Sequence, residues 1–164
     1  MIKIEVTDNI IAKAKAKAEE MGKLNNSITS GDGNLAGFIG EEIVADLMGG
    51  EIVNTYDYDI VCNEKKYDVK TKRCTSPPRP YYDCSVAAFN TKQRCDAYVF
   101  VRVQYKNNKF GPAWILGQKG KDDYFNQSRK LKKGQIDPSN NFTVKADCYN
   151  LSINKLDTLE TKNG

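Results

Sequence analysis

The sequence predicts a mixed α/β domain, with helices and a mixed sheet around one centre, on three observations. The chain has 164 residues, 40% hydrophobic and 28% charged, which suits one folded domain over 1–164 and leaves little room for a second. Apolar residues recur at helical and then at strand spacing, in the order helix, helix, three short strands, an ambiguous crossover, two strong strands and a helix. No internal repeat or linker interrupts that order.

Residues 2–6 (IKIEV) alternate as a short strand. Thr7 or Asp8 caps a helix over about 9–21, with Ile10, Ile11, Ala14, Ala18 and Met21 on one side and Gly22 at its end. Residues 23–34 are polar and glycine-rich, so they form a loop. A second helix covers about 34–48, with an apolar stripe of Ile39, Ile43 and Leu47, flanked by Ala36 and Val44, and closed by Gly49-Gly50. Glu41 and Glu42 both lie off that stripe, Glu41 nearer its edge beside Val44 and Met48. Strands follow at about 51–56, 58–63 and 66–72. Three prolines make 75–83 an exposed loop. Residues 84–96 read as a strand over CSVAAF and a helical turn at NTKQRC. Residues 97–105 (AYVFVRVQY) are the strongest strand, and KNNKFG turns the chain into a returning strand over 112–118 with Trp114 in the core. Asp122 or Asp123 caps a basic helix to about 132, and a last strand or two fall within 142–154.

Composition narrows the chemistry. There is no histidine, which removes serine–histidine and cysteine–histidine hydrolases, histidine-based nucleases and every zinc site that needs imidazole. Catalysis must run on carboxylates, lysine, cysteine, tyrosine or a hydroxyl. The five cysteines are odd in number and lack C-x-x-C spacing, so a disulfide scaffold is not expected and a reducing cytoplasm is. Cys74, Cys84 and Cys95 read as a metal or iron–sulfur set or, more simply, as buried thiols. No apolar run approaches the roughly 20 residues of a membrane helix, and MIKIEVTD has no signal-peptide pattern. No membrane partner is expected.

Charge is uneven. Residues 1–64 carry 5 basic and 12 acidic side chains, whereas 65–94 and 106–134 each carry 8 basic and 2 acidic ones. Two basic blocks around neutral strands fit either a polyanion surface or a solvated lysine-rich face. Lys72, Arg73, Arg79, Lys92 and Arg94 would line a phosphate track. Tyr81 and Tyr82 would touch sugars or bases, or pack in their loop. Lys119, Lys121, Arg129, Lys130, Lys132 and Lys133 would make a second backbone contact or a wet helix face.

Residues 58–72 carry the chemistry. A hairpin with Glu64-Lys65 at its tip sets Asp59 against Lys70, Val61 against Asp68 and Asp57 against Lys72. Asp57, Asp59, Asp68, Lys70 and Lys72 then share one face, while Tyr58, Ile60, Cys62, Tyr67, Val69 and Thr71 form an apolar one. Clustered carboxylates suit a hard divalent cation such as magnesium, and a lysine beside it would serve an attacking water. The alternative is a cross-strand salt-bridge ladder. The string acid-x-Lys is weak alone, since chance supplies about 2.6 copies in this composition. Of Glu64/Lys66, Asp68/Lys70 and Glu160/Lys162, only the second lies on a strand facing another acid.

This ordered set resembles the PD-(D/E)XK nuclease superfamily. The likeness covers about 34–118 and rests on GFIGEEIVADL, YDYDIV and YDVKTK, with CDAYVFV entering the fourth strand. It implies a restriction-endonuclease-like core of helix, three-strand meander, helix and strand, here with an added N-terminal helix and C-terminal strands. It implies magnesium, with manganese as substitute, held by Asp59, Asp68, the Val69 carbonyl and Glu41, with Glu42 as rival to Glu41. Lys70 would serve the water, and Gln93 would help near the metal. Tyr58 stands where the family often has a proline. The implied activity is DNA phosphodiester hydrolysis, endonucleolytic before exonucleolytic. A homodimer would let one site serve each strand. A non-cleaving nucleic-acid binder of the same fold and a ribonuclease are the alternatives.

Overall fold

The structure, a computed structural model, describes residues 1–25 and 35–162; most of the expected 23–34 loop lies outside the described residues. Six strands form a mixed sheet in the spatial order β1 (Ile2–Ile4), β7 (Lys109–Gly120), β6 (Ala97–Lys106), β4 (Lys65–Cys74), β3 (Ile60–Cys62) and β2 (Glu51–Ile52). Only β4 and β6 run parallel. Helices α1 (Asp8–Asn25) and α2 (Leu35–Met48) cover one face. The other face carries α3 (Lys121–Gln127) and a second antiparallel sheet of β5 (Asp83–Ala87), β9 (Cys148–Ser152) and β8 (Arg129–Leu131). No described helix is long and apolar enough to cross a membrane.

Strand β6 explains the two cores. It is buried on both faces, so its side chains alternate between partners. Ala97, Val99, Val101 and Val103 meet Ile39, Ile43 and Val44 of α2; Tyr98 and Phe100 meet Val86, Leu151 and Tyr124 on the far side. Trp114 is buried in the second core, as its sequence context implies.

Several boundaries differ from expectation. Thr7 caps α1, its Oγ1 accepting the Ile10 amide at 3.2 Å, but the helix runs through Gly22 to Asn25. Strand β2 ends at Ile52, because Asn54 takes a left-handed φ of 45°. The crossover from β4 to β6 is not a helix: β5 and a 3₁₀ turn over Ala88–Lys92 replace the second core helix. The basic helix stops at Gln127, and Arg129–Leu131 pair with β9 instead.

The hairpin tip is Asn63-Glu64, at φ 50° and 66°, because a tight turn needs left-handed residues and asparagine tolerates that conformation. The register therefore sets Ile60 against Tyr67 and Val61 against Lys66, not against Asp68. The offset is two residues, so parity survives: Ile60, Tyr67 and Val69 still enter the helix-side core. Tyr58 does not follow them. The chain bends at Asp59, and Tyr58 packs into the second core.

Candidate functional site

Beyond Ile60, β3 no longer covers β4, and the edge of β4 opens. The Asp59 amide donates to the Tyr67 carbonyl at 2.9 Å, so Asp59 and Ile60 are both set against Tyr67. Asp59 then turns its carboxylate along the edge, where Oδ2 accepts the Val69 amide at 2.9 Å. In an extended strand the N–H and C=O of one residue point to the same edge, so the Val69 carbonyl is directed to the side that carries Asp59.

Asp68 is 4% exposed and touches Asp59 carboxyl to carboxyl. Its Oδ1 accepts from Gln93 Nε2 at 3.3 Å. Its Oδ2 lies 2.8 Å from Lys70 Nζ, close enough for charge attraction but without hydrogen-bond geometry, and is buried without another partner. Gln93, 5% exposed, ties the group together: Oε1 accepts from Lys70 Nζ at 3.2 Å, and Nε2 also donates to the Tyr56 carbonyl at 3.0 Å.

Glu41 arrives from α2. Gly40 lets that helix lie directly on β4, since a Cβ at 40 would collide with Thr71 Oγ1. Glu41 is buried against Asp59 and paired with Lys17 Nζ at 3.3 Å. Asn54, with its amide nitrogen turned toward the carboxylate, donates to Glu41 at 3.2 and 2.9 Å. An open cavity of about 740 Å³ is lined by Glu41, Asn54, Tyr56, Asp59, Lys72 and Arg73 among others. Glu42 is half-buried and off this cavity.

Three carboxyls thus stand in a row: Glu41, Asp59, Asp68. Burial, then the Glu41 charge, pushes Asp59 up to about 6. Burial outweighs the attraction of Lys70 and pushes Asp68 up to about 6 as well. Burial also raises Glu41, against the pull of Lys17. Adjacent buried carboxyls cannot all ionise cheaply without a cation among them. Among the described residues, no three acid or thiol side chains converge tightly enough to form a complete metal cage. Two carboxylates and a carbonyl are nonetheless the donor set that magnesium uses when water fills the rest. Asp68 Oδ2, which meets the Lys70 ammonium without a hydrogen bond, would be one donor to such an ion.

Of the expected phosphate contacts, Lys72 and Arg73 are exposed and line the cavity, Arg73 resting 4.8 Å over the Tyr105 ring. Lys92 and Arg94 are exposed beyond Gln93, where the Arg94 amide donates to Asp57 at 3.1 Å. Arg79 is exposed in the loop between β4 and β5. Three of the second basic group have other partners. Lys119 is buried against the Lys155 carbonyl at 3.0 Å and Asp157 at 3.5 Å. Arg129 pairs with Asp83 at 2.8 Å and Asp137 at 3.0 Å, tying β8 to β5. Lys121 reaches the Gln93 carbonyl. Cys84 and Cys95 are buried thiols, raised by burial to about 12 and about 11.

Lys17, Asn54 and Tyr56 join the site without having been expected. Lys17 did leave a signal: it stands at helical spacing between Ala14 and Met21, a cation on an apolar stripe. Asn54 and Tyr56 left none. No protein-family model and no curated protein matches the chain.

Proposed function

We propose that the chain is a magnesium-dependent deoxyribonuclease of the PD-(D/E)XK type. The observation that carries this reading is the meeting of Asp59 and Asp68, side by side and with Glu41 behind, where β3 stops pairing and the edge of β4 begins to open, with Lys70 next to them. The fold contributes the order α2, antiparallel β2–β3–β4, then β6 parallel to β4. It departs from the family's core in the crossover, where β5 and a 3₁₀ turn replace a helix.

Asp59, Asp68 and the Val69 carbonyl would hold magnesium, with Glu41 assisting directly or through water. When bound, the ion supplies positive charge to the phosphate and acidity to a water. Lys70, an ammonium paired with Asp68, would orient the attacking water and offset charge on the phosphate; the proton of the water would pass to solvent, and the leaving oxygen would take one from solvent as the P–O ester bond breaks. Gln93 positions Lys70 and Asp68 against one another, while Lys17 and Asn54 hold Glu41 in place. Lys72, Arg73, Lys92 and Arg94 offer charge to the flanking backbone.

A second reading is favoured by one feature: Lys70 already has an acid and an amide as partners, as a purely structural lysine would. On that reading the protein binds nucleic acid without cutting it.

Plasmid, linear, branched and single-stranded DNA, and RNA, incubated with Mg²⁺, Mn²⁺ or EDTA, separate these readings. Metal-dependent cutting of DNA is expected, and Lys70→Ala lowers it at least about 100-fold with the circular dichroism spectrum unchanged. Undiminished cutting by the variant removes the assignment. Binding without cutting leaves the second reading, and cutting confined to RNA makes the protein a ribonuclease.

A further inference from the structure

The face of β4 that bears Asp68 and Lys70 continues past the site. Lys72 follows on the same face, about 6–7 Å along the strand. Its register partner on β6 is Arg102. Arg102 is 9% exposed, yet no carboxylate lies within ion-pair distance of it among the described residues. Its guanidinium donates from Nη2 to the Asp83 carbonyl at 2.9 Å and rests 5.2 Å over the Tyr82 ring. The Asp83 carboxylate next to it is taken by Arg129 at 2.8 Å and Asn140 at 3.0 Å. A buried guanidinium without a counter-ion is costly, and its planar donor fork matches a phosphate.

Arg102 and Lys72 help line a groove of about 920 Å³ formed with β5, β9 and the loops around 80 and 142. Tyr81 and Phe142 line the same groove and are 67% and 54% exposed. Large aromatics left in solvent, beside an unpaired cation, form the stacking platform and backbone grip that unpaired nucleotides use. Bases inside a duplex are already stacked on their neighbours and cannot reach such rings.

We propose that this groove takes an unpaired stretch of the DNA strand, with Arg102 and Lys72 on a backbone phosphate and Tyr81 and Phe142 stacked on bases. The substrate is then DNA that is single-stranded beside the point of cutting. This deepens the nuclease reading and rests on it. Lys72, shared between this groove and the cavity beside Asp59, joins the two along one strand of substrate.

The test is equilibrium binding in EDTA, where no cutting competes. The full chain meets a labelled blunt duplex, the same duplex with an unpaired DNA tail, and one with an unpaired RNA tail. Tighter binding of the DNA-tailed duplex is expected. Tyr81→Ala/Phe142→Ala reduces that preference by about 100-fold, about tenfold per lost ring, and leaves blunt-duplex affinity unchanged. Both residues are exposed, so the variant should fold. Equal affinity for blunt and DNA-tailed duplex, or a DNA-tail preference that survives the double substitution, overturns the inference. Tighter binding of the RNA tail overturns it in favour of RNA. Cleavage of the same duplexes in Mg²⁺ keeps the two claims apart. Cutting of blunt and tailed DNA alike, insensitive to the aromatic pair, sinks the groove and spares the nuclease. An aromatic-dependent tail preference without cutting spares the groove as a binding site and sinks the nuclease.

Discussion

Asp68 sits in a conflict between two forces, and their relative size sets its behaviour. Lys70, at 2.8 Å, favours the charged form, while burial and the neighbouring Asp59 disfavour it. Burial wins, since the group titrates at about 6 rather than at 3.8. Without a metal, ionised Asp68 therefore destabilises the folded chain at neutral pH. Asp68→Asn should raise metal-free stability at pH 7.5 by on the order of 2 kcal/mol, read as an increased urea midpoint, while removing the stabilisation that Mg²⁺ gives the native sequence. Lys70, left without its acid, can still reach solvent, so its loss of a partner costs little. A lower midpoint for the variant would mean that the ion pair outweighs burial, and that the cluster is a salt-bridge network first. The identities of Asp59, Asp68 and Lys70 were legible in the sequence because a strand alternates its faces and a two-residue error in register preserves that alternation. Their exact pairing was not legible. It depends on which residues of the turn accept a left-handed backbone, and Asn63-Glu64 rather than Glu64-Lys65 do so.

At the level of elements, α2 and β4 are spaced by Gly40, and Glu41 is placed by that spacing. Gly40→Ala should cost about 1–3 kcal/mol as the new methyl meets Thr71 Oγ1, and should weaken Mg²⁺ binding by moving Glu41 off Asp59. Thr71 Oγ1 is buried without a hydrogen-bond partner, so Thr71→Ala removes the main obstacle cheaply. The double variant should recover part of the lost stability in denaturant titrations. If it does not, the helix is held off by something other than this contact. The hairpin tip makes a separate prediction. Glu64 at φ 66° carries about 1–2 kcal/mol of left-handed strain that glycine escapes at an entropic cost of about 0.5–1, so Glu64→Gly should stabilise by about 0.5–1 kcal/mol without altering metal affinity. Elements with strong periodicity, such as α2 and β6, were readable to within a residue or two at their ends. The crossover and the basic helix were not. Arg129 is drawn into β8 by Asp83, 46 residues away, together with Asp137, and Ala88–Lys92 stop at a single 3₁₀ turn. Pairing with β9 and with Asp83 overrides local helix propensity there, and no local window of sequence contains those partners.

Across the whole molecule, two carboxylate groups pull stability in opposite directions with pH. Asp137 is fully buried; burial alone would raise it, but Arg129, the Ser139 amide and Asn150 outweigh that and bring it to about 2. A depressed carboxyl stabilises the fold above its unfolded value near 3.8, and that contribution is lost as pH falls toward 2. Asp59 and Asp68 behave the other way. Their raised values mean that the folded chain binds more protons than the unfolded chain between 3.8 and about 6, so their contribution is full below 3.8 and disappears as pH rises through 6. The metal-free protein should therefore be most stable near pH 4, where these two windows meet, and weaker at pH 7.5. On the proposed reading Mg²⁺ would reverse the neutral-pH loss by binding the ionised carboxylates in the folded chain alone, a tenfold excess over its dissociation constant adding about 1.4 kcal/mol. Thermal melts from pH 3 to 8, in EDTA and in Mg²⁺, should show the Tm optimum move from about pH 4 toward neutral pH when the metal is present, with Ca²⁺ giving a smaller shift if the site demands six-fold geometry. A Tm in EDTA that climbs steadily to pH 7.5, or a Mg²⁺ response unchanged at pH 5, would show that the carboxyls at the open edge of β4 are not a proton-or-metal site, and the functional proposal would lose its physical basis.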